Sequence, residues 1–256
     1  MSDRSERLTK RQQRLSERQS KREKTPPTPS LNLQLRTITP ITDNQILAFN
    51  AYDDGQHLCM IGSAGTGKTL VAIYNALKDV LDKSTPYKKI LIVRTAQPSK
   101  QIGFLPGTEK EKLAVYEAAY KGIFTELFGR GDAYEVCKQK GLVEFTGTSF
   151  LRGITIENTI VIVDEFQSCT YHETETVATR IGENSKLILC GDTRQDDLTS
   201  SRYNERSGIQ PIIQVLRNIP DMSIITFTVD DIVRSGFVKQ WLLAVEKLNL
   251  DLTSYR

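Results

Sequence analysis

Short apolar runs recur along the chain and predict the strands of a sheet. Runs rich in isoleucine, valine and leucine, with few polar interruptions, are typical of strands that are buried on both faces. Six such runs occupy residues 58–61, 89–93, 142–145, 160–163, 187–190 and 223–229.

The segments between these runs show helical periodicity, in which apolar residues return every three or four positions. The predicted helices span residues 44–52, 68–81, 109–128, 171–181, 209–216 and 233–248. Strands that alternate with helices predict an α/β fold with a mostly parallel sheet and helices on both faces. Ligands of such sheets bind at the carboxyl ends of the strands.

Periodicity also predicts which residues of the last helix are buried. Trp241, Leu242, Leu243 and Val245 recur at helical spacing, so we expect them to belong to the core. The alternative is that Trp241 forms an exposed platform on which a nucleic-acid base stacks.

The first 30 residues differ in composition from the rest. Residues 1–24 hold nine Lys or Arg and four Asp or Glu, a net charge of +5, whereas the remainder of the 256 residues carries −2. Three prolines within residues 25–30 favour extended backbone and end any helix begun upstream. We predict a disordered basic arm and proline-rich linker over residues 1–30, and one folded domain over residues 31–256. The arm is either a contact for phosphate backbone or a solvated, solubilising tail.

Overall composition is that of an ordinary soluble protein, with 39% hydrophobic and 25% charged residues. No apolar run approaches the ~20 residues that cross a bilayer, and the N-terminus lacks the apolar stretch of a signal peptide. The four cysteines include no CxxC pair and the chain has two histidines, which excludes a zinc site. We therefore expect a cytoplasmic protein with no membrane segment and with free, mostly buried thiols.

The strongest motif is GSAGTGKT, which matches the phosphate-binding pattern G-x-x-x-x-G-K-[ST] between a predicted strand and a predicted helix. Its glycines let backbone N–H groups converge on phosphate oxygens, and the helix N-terminus adds positive partial charge. We expect Lys68 to reach the β- and γ-phosphates of ATP and Thr69 to offer its hydroxyl to Mg²⁺. A chance glycine-rich turn is the alternative. The predicted nucleotide-binding residues of this P loop are Gly62, Ser63, Ala64, Gly65, Thr66, Gly67, Lys68 and Thr69.

The run 160–163 ends in Asp164 and Glu165, so two acids stand at the carboxyl end of a strand. We predict that Asp164 holds Mg²⁺ through its water shell and that Glu165 polarises an attacking water. The adjacent glutamate favours hydrolysis, because a kinase gains by keeping water away from the γ-phosphate. If the P loop were absent, the alternative would be that Asp164 and Glu165 are two solvated acids at the end of a strand, with no catalytic role.

A polar cluster follows the run 187–190 and includes Gln195. In a parallel sheet this cluster lies beside the phosphate site, where Gln195 is placed to hydrogen-bond the γ-phosphate or the attacking water. An ordinary turn is the alternative.

Together these motifs resemble the PhoH family of P-loop ATPases, which are related to the cores of superfamily 1 helicases. The resemblance spans roughly residues 40–245 and is greatest for the short PhoH-like proteins of bacteriophages, which would place the chain in the host cytoplasm. It implies a RecA-like fold, ATP and Mg²⁺ as ligands, and RNA or single-stranded DNA as a partner. The matching segments are residues 62–69, 94, 103–107, 151–153, 162–167, 191–198 and 207–208.

The resemblance also implies roles for single residues. Gln45 matches a glutamine that reads adenine, with a solvated helix glutamine as the alternative. Arg94 begins a segment that matches a motif between the nucleotide and the nucleic-acid path, and Arg152 lies in a matching arginine-glycine pair. Arg234 matches an arginine placed near the phosphates, and we expect it to act on the nucleotide of a neighbouring subunit.

The chain departs from the family pattern at several positions. Thr95 replaces a proline, and Ser99-Lys100 replace a glycine-glutamate pair. The change from carboxylate to cation at Lys100 bears on substrate contact and not on ATP binding, so Lys100 joins Arg94 and Arg152 as a candidate nucleic-acid contact. Phe166 stands where alanine is usual, and we expect packing to absorb its ring.

We therefore predict an ATPase that hydrolyses ATP with Mg²⁺ and acts on RNA or single-stranded DNA in a helicase-like manner. Superfamily 1 helicases close two such domains on one ATP, so we expect a second subunit to complete the site in an oligomeric ring, a hexamer as the family implies. One alternative is a P-loop kinase or nucleotide-switch protein without nucleic-acid activity. The other is a nucleic-acid-binding protein with a vestigial ATPase.

Deleting the basic arm tests its interaction with nucleic acid. A chain that starts near Ser30 should keep its basal ATP turnover but bind single-stranded oligonucleotides more weakly. The slope of affinity against salt should fall by roughly 0.7 for each phosphate that the arm neutralises in the full chain, because the arm acts through charge. Oligonucleotide titrations at several salt concentrations measure this, and equal slopes for the two chains would identify the arm as a tail.

Overall fold

The computed structural model describes residues 33–95, 109–192, 209–234 and 236–248. The predicted arm and linker, Lys100 and Gln195 lie outside these residues, as do the motif segments 103–107 and 207–208. Among the helices of the described ranges, none is long and apolar enough to cross a membrane.

Six strands form one parallel sheet, whose order is β3-β2-β4-β5-β1-β6. The strand β5 therefore separates β1, which leads into the P loop, from β4, which ends at the acidic pair. The parallel sheet with its helices confirms the predicted α/β fold class. The strands are β1 His57–Gly62, β2 Lys89–Arg94, β3 Val143–Gly147, β4 Thr159–Asp164, β5 Lys186–Gly191 and β6 Met222–Phe227.

The described residues include seven α-helices and three short 3-10 helices. The 3-10 helices follow β3, β4 and β6, at Thr148–Leu151, Phe166–Ser168 and Val229–Asp231. The α-helices are α1 Asp43–Asp53, α2 Lys68–Leu81, α3 Glu109–Phe128, α4 Ala133–Gln139, α5 Tyr171–Ala178, α6 Ile209–Leu216 and α7 Gly236–Lys247.

Several predicted bounds differ from the structure. The helix predicted over 171–181 ends at Ala178, and α4 has no predicted counterpart because its seven residues are too few to show a sustained helical pattern. The strand predicted over 223–229 ends at Phe227. There the Thr228 hydroxyl accepts a hydrogen bond from the Asp230 N–H, which turns the chain into a 3-10 helix.

Alternate residues of the strands pack on opposite faces of the sheet. On one face, Val161 and Val163 of β4 join a cluster that includes residues of α5 and α6. Ile160 and Ile162 point to the other face and are fully buried, and α2 lies against β2, β4 and β5 there. Helices thus cover both faces, as the alternation of strands and helices predicts.

The two edge strands correct the expectation of strands buried on both faces. Glu144 of β3 and Thr226 of β6 are exposed, because each edge strand has a neighbour on one side only. The four central strands are almost entirely buried. All four cysteines are free and buried, as predicted.

The last helix also differs from its prediction. Trp241, expected in the core, is 62% exposed, and Phe237 on the same face is 72% exposed. Their ring centroids are 6.4 Å apart. Helical spacing indicates which side chains share a face, but it does not supply an element for that face to pack against.

The first glycine of the P loop is required by the close approach of β6. A Cβ atom at Gly62 would lie 1.9 Å from the carbonyl oxygen of Phe227, which is backbone and cannot turn aside. Gly62 and Phe227 are partners in the β1–β6 register, and Gly62 has φ +131°. The same residue that opens the phosphate-binding loop therefore also lets the edge strand pair with β1.

Replacing Gly62 with alanine should weaken the fold more than backbone strain alone explains. Gly141 is the control, because its φ is +70° and no atom lies within 4 Å of the position a Cβ would take. We expect Gly141→Ala to cost about 1–2 kcal/mol and Gly62→Ala to cost roughly 1–3 kcal/mol beyond that. Denaturant unfolding of both variants measures the difference, and equal destabilisation would contradict the role given to the Phe227 carbonyl.

Candidate functional site

A cleft of about 470 Å³ opens at the carboxyl ends of β1, β4 and β5. The P loop forms one wall, the ends of β4 and β5 form the floor, and residues from α3 and from the segment before α7 complete the rim. The structure thus brings together the residues of both predicted motifs. The lining residues are Ala64, Gly65, Gly67, Lys68, Thr69, Leu70, Ile123, Glu126, Asp164, Glu165, Cys190, Gly191, Asp192, Val233 and Arg234.

The P loop presents donors to this cleft, and its chemistry fits a phosphate group. Helix α2 begins at Lys68 after Gly67, whose φ is +86° and which supplies no side-chain cap for the first N–H groups. The hydroxyl of Ser63 is buried and has no hydrogen-bond partner among the described residues. An uncapped helix N-terminus and an unpartnered hydroxyl within one loop are what an oxyanion would satisfy.

Lys68 already holds the loop together. Its ammonium group donates to the carbonyl oxygens of Gly62 at 2.9 Å and Ser63 at 2.7 Å, and to the Thr66 hydroxyl at 3.3 Å. Burial lowers the pKa of Lys68, while the nearby carboxylate of Asp192 opposes that shift. The ammonium group therefore lies at the cleft with backbone partners that it can exchange for phosphate oxygens.

The predicted metal-binding pair is in direct contact. The Thr69 hydroxyl donates to Oδ1 of Asp164 at 2.8 Å, which joins the start of α2 to the end of β4. The Tyr120 hydroxyl of α3 donates to Oδ2 at 2.9 Å. Burial and the neighbouring Glu165 raise the pKa of Asp164 above its usual range, although the two hydroxyl donors and Arg94 oppose this shift. The donors thus oppose protonation of a carboxylate that is 6% exposed.

This pair fits a magnesium ion that takes most of its ligands from elsewhere. Mg²⁺ prefers oxygen ligands and usually keeps several waters beside one or two protein groups and substrate phosphates. Within the described ranges, no group of three or more His, Cys, Asp or Glu side chains is arranged to hold a metal ion. Thr69 and Asp164 would therefore hold the ion together with phosphate oxygens and water.

Glu165 lies at the cleft in a strained backbone conformation. Its φ of 55° and ψ of 42° are left-handed, which costs a non-glycine residue about 1–3 kcal/mol. The amide of Gln167 donates to its carboxylate through Nε2 and accepts the Asp192 N–H through Oε1 at 3.0 Å. Gln167 is 1% exposed, so it fixes the acid after β4 relative to the loop after β5.

Gln45 lies behind the P loop, and both ends of its amide have backbone partners. Nε2 donates to the Thr66 carbonyl at 3.0 Å, and Oε1 accepts the Ile41 N–H at 3.0 Å. The side chain is 6% exposed, so the alternative of a solvated helix glutamine is wrong. Reading adenine would require this amide to exchange those partners.

Arg234 lies over the P loop of its own chain. A Cβ at Gly65 would lie 2.8 Å from Cγ of Arg234, and the Val233 N–H donates to the Gly65 carbonyl at 3.1 Å. The backbone bond fixes this segment at the loop. Arg234 lines the cleft of its own chain. Its expected action on the nucleotide of a neighbouring subunit stays a prediction.

The candidate nucleic-acid residues occupy two different environments. The Arg94 guanidinium is half-buried over the ring of Tyr116, 4.5 Å from its centroid. Arg152 is exposed after the 3-10 helix that follows β3 and lines a small cavity of about 110 Å³. Arg94 is thus an interior neighbour of the acidic pair, whereas Arg152 is open to a ligand.

Several side chains at or near the site had no predicted role, among them Tyr120, Gln167 and Glu126. Tyr120 and Glu126 come from α3, whose sequence carries no motif, so only the fold reveals that they approach the P loop. Gln167 lies two residues after Glu165, inside one of the segments that match the family pattern. That position is the sequence signal from which its role could have been predicted. Phe166 is fully buried, so packing does absorb its ring.

A family model described as PhoH-like protein matches residues 37–246. The chain is 31% identical to a PhoH-like protein of Mycobacterium bovis over 211 residues and 33% identical to one of Bacillus subtilis over 190 residues. It is 30% identical to Protein PhoH of Escherichia coli over 214 residues. These alignments cover 80%, 74% and 82% of this chain. The chain belongs to the PhoH-like protein family.

The alignments cover 57%, 58% and 59% of the relatives, so this PhoH-like chain spans under three fifths of their length. Among solved structures, the large terminase of bacteriophage D6E in complex with ADP is 12% identical, with a TM-score of 0.44 over 79% of this chain and 49% of that one. The Hef helicase domain of Pyrococcus furiosus is 14% identical, with a TM-score of 0.42 over 72% and 38%.

Removing the Tyr120 hydroxyl should weaken the metal site of this PhoH-like chain. Tyr120→Phe leaves Oδ2 of Asp164 without its donor, so the pKa of Asp164 should rise and Mg²⁺ should bind more weakly, by about tenfold or more. The measurement is the Mg²⁺ concentration that half-saturates stabilisation by nucleotide in thermal unfolding. Tyr134→Phe is the control, because Tyr134 is equally buried but donates to Glu117. An unchanged Mg²⁺ requirement would contradict the role given to Tyr120.

Proposed function

We propose that this chain hydrolyses ATP to ADP and phosphate with Mg²⁺. The observation that carries the proposal is one cleft lined by Lys68, Thr69, Asp164 and Glu165. A cation and helix N-terminus for phosphate, a hydroxyl and carboxylate for the metal, and a second carboxylate for water are the parts that phosphoryl transfer to water requires.

Each residue has a defined task in this reaction. Lys68 and the N–H groups of the P loop bind the β- and γ-phosphates and stabilise the charge that develops on them. Thr69 and Asp164 hold Mg²⁺, which when bound neutralises part of the phosphate charge. Glu165 orients a water and accepts its proton, while Gln167 holds the Glu165 carboxylate in position. Arg234, on the rim above Gly65, is placed to contact the γ-phosphate in its own chain.

We further propose that single-stranded nucleic acid, RNA or DNA, is the partner of this ATPase. Arg152 supports this because it is an exposed cation near the carboxyl edge of the sheet. Arg94 supports it indirectly, since it ends β2 at the same edge and contacts Tyr120, which donates to Asp164. The basic arm and Lys100 would add phosphate contacts that carry no sequence preference.

We also propose that a second copy of the chain completes the site. The cleft is bounded by a single sheet, and the helix next to its rim presents Phe237 and Trp241 to solvent. Exposed aromatic residues of this kind are typical of interaction surfaces. A head-to-tail contact of this face with a different face of the next copy would form a ring if its rotation closes.

One set of measurements separates this proposal from its rivals. ATP turnover is measured with and without single-stranded RNA and DNA, beside the mass of the particle in solution. Phosphate transferred to an acceptor would favour a kinase, and turnover indifferent to oligonucleotide would favour a nucleotide switch. Binding of oligonucleotide with no turnover would favour a vestigial ATPase.

Two substitutions should separate binding from hydrolysis. Lys68→Ala should abolish nucleotide binding or turnover, because the phosphates lose the ammonium group at the base of the cleft. Glu165→Gln should keep ATP binding and lower turnover by about 10²–10⁴-fold, because an amide cannot accept the proton of water. Nucleotide titration and phosphate release measure the two effects.

The controls are Lys83→Ala and Glu183→Gln, which change the same side chains at exposed positions outside the cleft. Both should behave like the unchanged protein. Near-normal turnover in Glu165→Gln would remove the proton-accepting role from Glu165 and leave the ATP-binding role of the cleft intact.

A further inference from the structure

Glu173 joins three segments that lie apart in the sequence. Its Oε1 accepts hydrogen bonds from the hydroxyl groups of Thr95, at 2.9 Å, and Thr148, at 2.8 Å. Its Oε2 accepts the N–H of Thr170 at 2.8 Å and the Thr170 hydroxyl at 3.0 Å. Thr95 follows β2, Thr148 follows β3, and Thr170 precedes α5, so one carboxylate ties together the carboxyl ends of neighbouring strands.

The two oxygens of Glu173 have different tasks. The bonds from Thr170 to Oε2 form an ordinary capping box, which needs only α5 and its N-cap residue. The bonds to Oε1 are not explained by capping, because both donors come from outside the helix. Burial raises the pKa of Glu173, but the donors from Thr170, Thr148 and Thr95 outweigh it, so the pKa is lowered and the carboxylate is ionised at neutral pH.

The clamp formed by Thr95, Glu173 and Thr148 borders the exposed arginine, since Thr148 and Glu173 line the same small cavity as Arg152. Tyr120 donates to Asp164, and Arg94 contributes a hydrogen bond to Tyr120. Thr95, the next residue after Arg94, donates to Glu173, which also holds Thr148 at the start of the 3-10 helix before Arg152. A continuous series of bonds therefore runs from the metal-binding carboxylate to a surface cation.

We propose that Glu173 is a positioning residue that couples the nucleotide cleft to a nucleic-acid surface around Arg152. A shift of Asp164 on nucleotide binding moves Tyr120 and Arg94, and the Thr95–Glu173–Thr148 clamp passes that shift to the 3-10 helix that positions Arg152. The Thr95 hydroxyl is what joins β2 to the clamp. The inference rests on the nucleic-acid part of the proposed function.

The test removes one hydroxyl of the clamp without changing its shape. Thr148→Val is isosteric and loses the donor, whereas Thr148→Ser keeps it. Turnover of the full chain is measured against increasing single-stranded oligonucleotide, and oligonucleotide affinity is measured with and without ADP. We expect Thr148→Val and Glu173→Gln to reduce both the stimulation and the effect of ADP on affinity by about fivefold or more, with basal turnover and the KM for ATP unchanged.

Two controls separate coupling from simple loss of structure. Glu175→Gln changes an exposed glutamate of the same helix and should keep full stimulation. Thr148→Ser should also keep it. A merely structural role would lower the melting temperature and basal turnover together, and if Glu173→Gln does not fold, the Val and Ser variants of Thr148 decide the result.

The outcomes distinguish this inference from the proposed function. Full stimulation in a folded Thr148→Val or Glu173→Gln protein would overturn the clamp and leave the proposed function standing. The protein without substitutions is the second reference. If oligonucleotide does not stimulate its turnover and ADP does not alter its affinity for oligonucleotide, both the nucleic-acid part of that function and the clamp are overturned.

Discussion

The buried carboxylate of Asp164 is the interaction on which the site depends. Leaving a buried carboxylate without partners costs several kcal/mol, so the fold is stabilised when its hydrogen-bond donors stay in contact with it. Thr69 comes from the start of α2 and Tyr120 from α3, so both helices are bound to the end of β4. Because β5 lies between β4 and β1 in the sheet, the Thr69 bond joins segments that follow two strands which are not neighbours.

Gln167 forms a second set of hydrogen bonds between segments that follow neighbouring strands. Glu165 occupies a left-handed conformation that a non-glycine residue adopts only when its surroundings impose it. Gln167 supplies part of that constraint, because its amide binds the Glu165 carboxylate on one side and the backbone of Asp192 on the other. Gln167 therefore links Glu165, which follows β4, to Asp192, which follows β5.

The sequence predicts those features of the molecule that are determined by residues close together in the chain. Helix α2 has the predicted bounds because a glycine-rich loop starts it and an apolar face sustains it, and Lys68, Thr69, Asp164 and Glu165 follow from motifs of adjacent residues. Tyr120 and Glu173 escape such reasoning, because each acts on residues more than 20 positions away that only the strand order brings near.

Two further differences have the same origin. Trp241 lies at a spacing that predicts a buried face, yet burial requires a partner element that periodicity does not specify. Sequence reasoning predicts that Lys68 reaches phosphate and says nothing of its other partners. A buried ammonium needs acceptors, and the loop's own carbonyl groups supply them. These bonds hold the loop open. Nucleotide binding therefore requires only the Lys68 side chain to exchange partners, and the loop as a whole does not have to become ordered. More of the interaction free energy then remains for affinity and for stabilising the transition state.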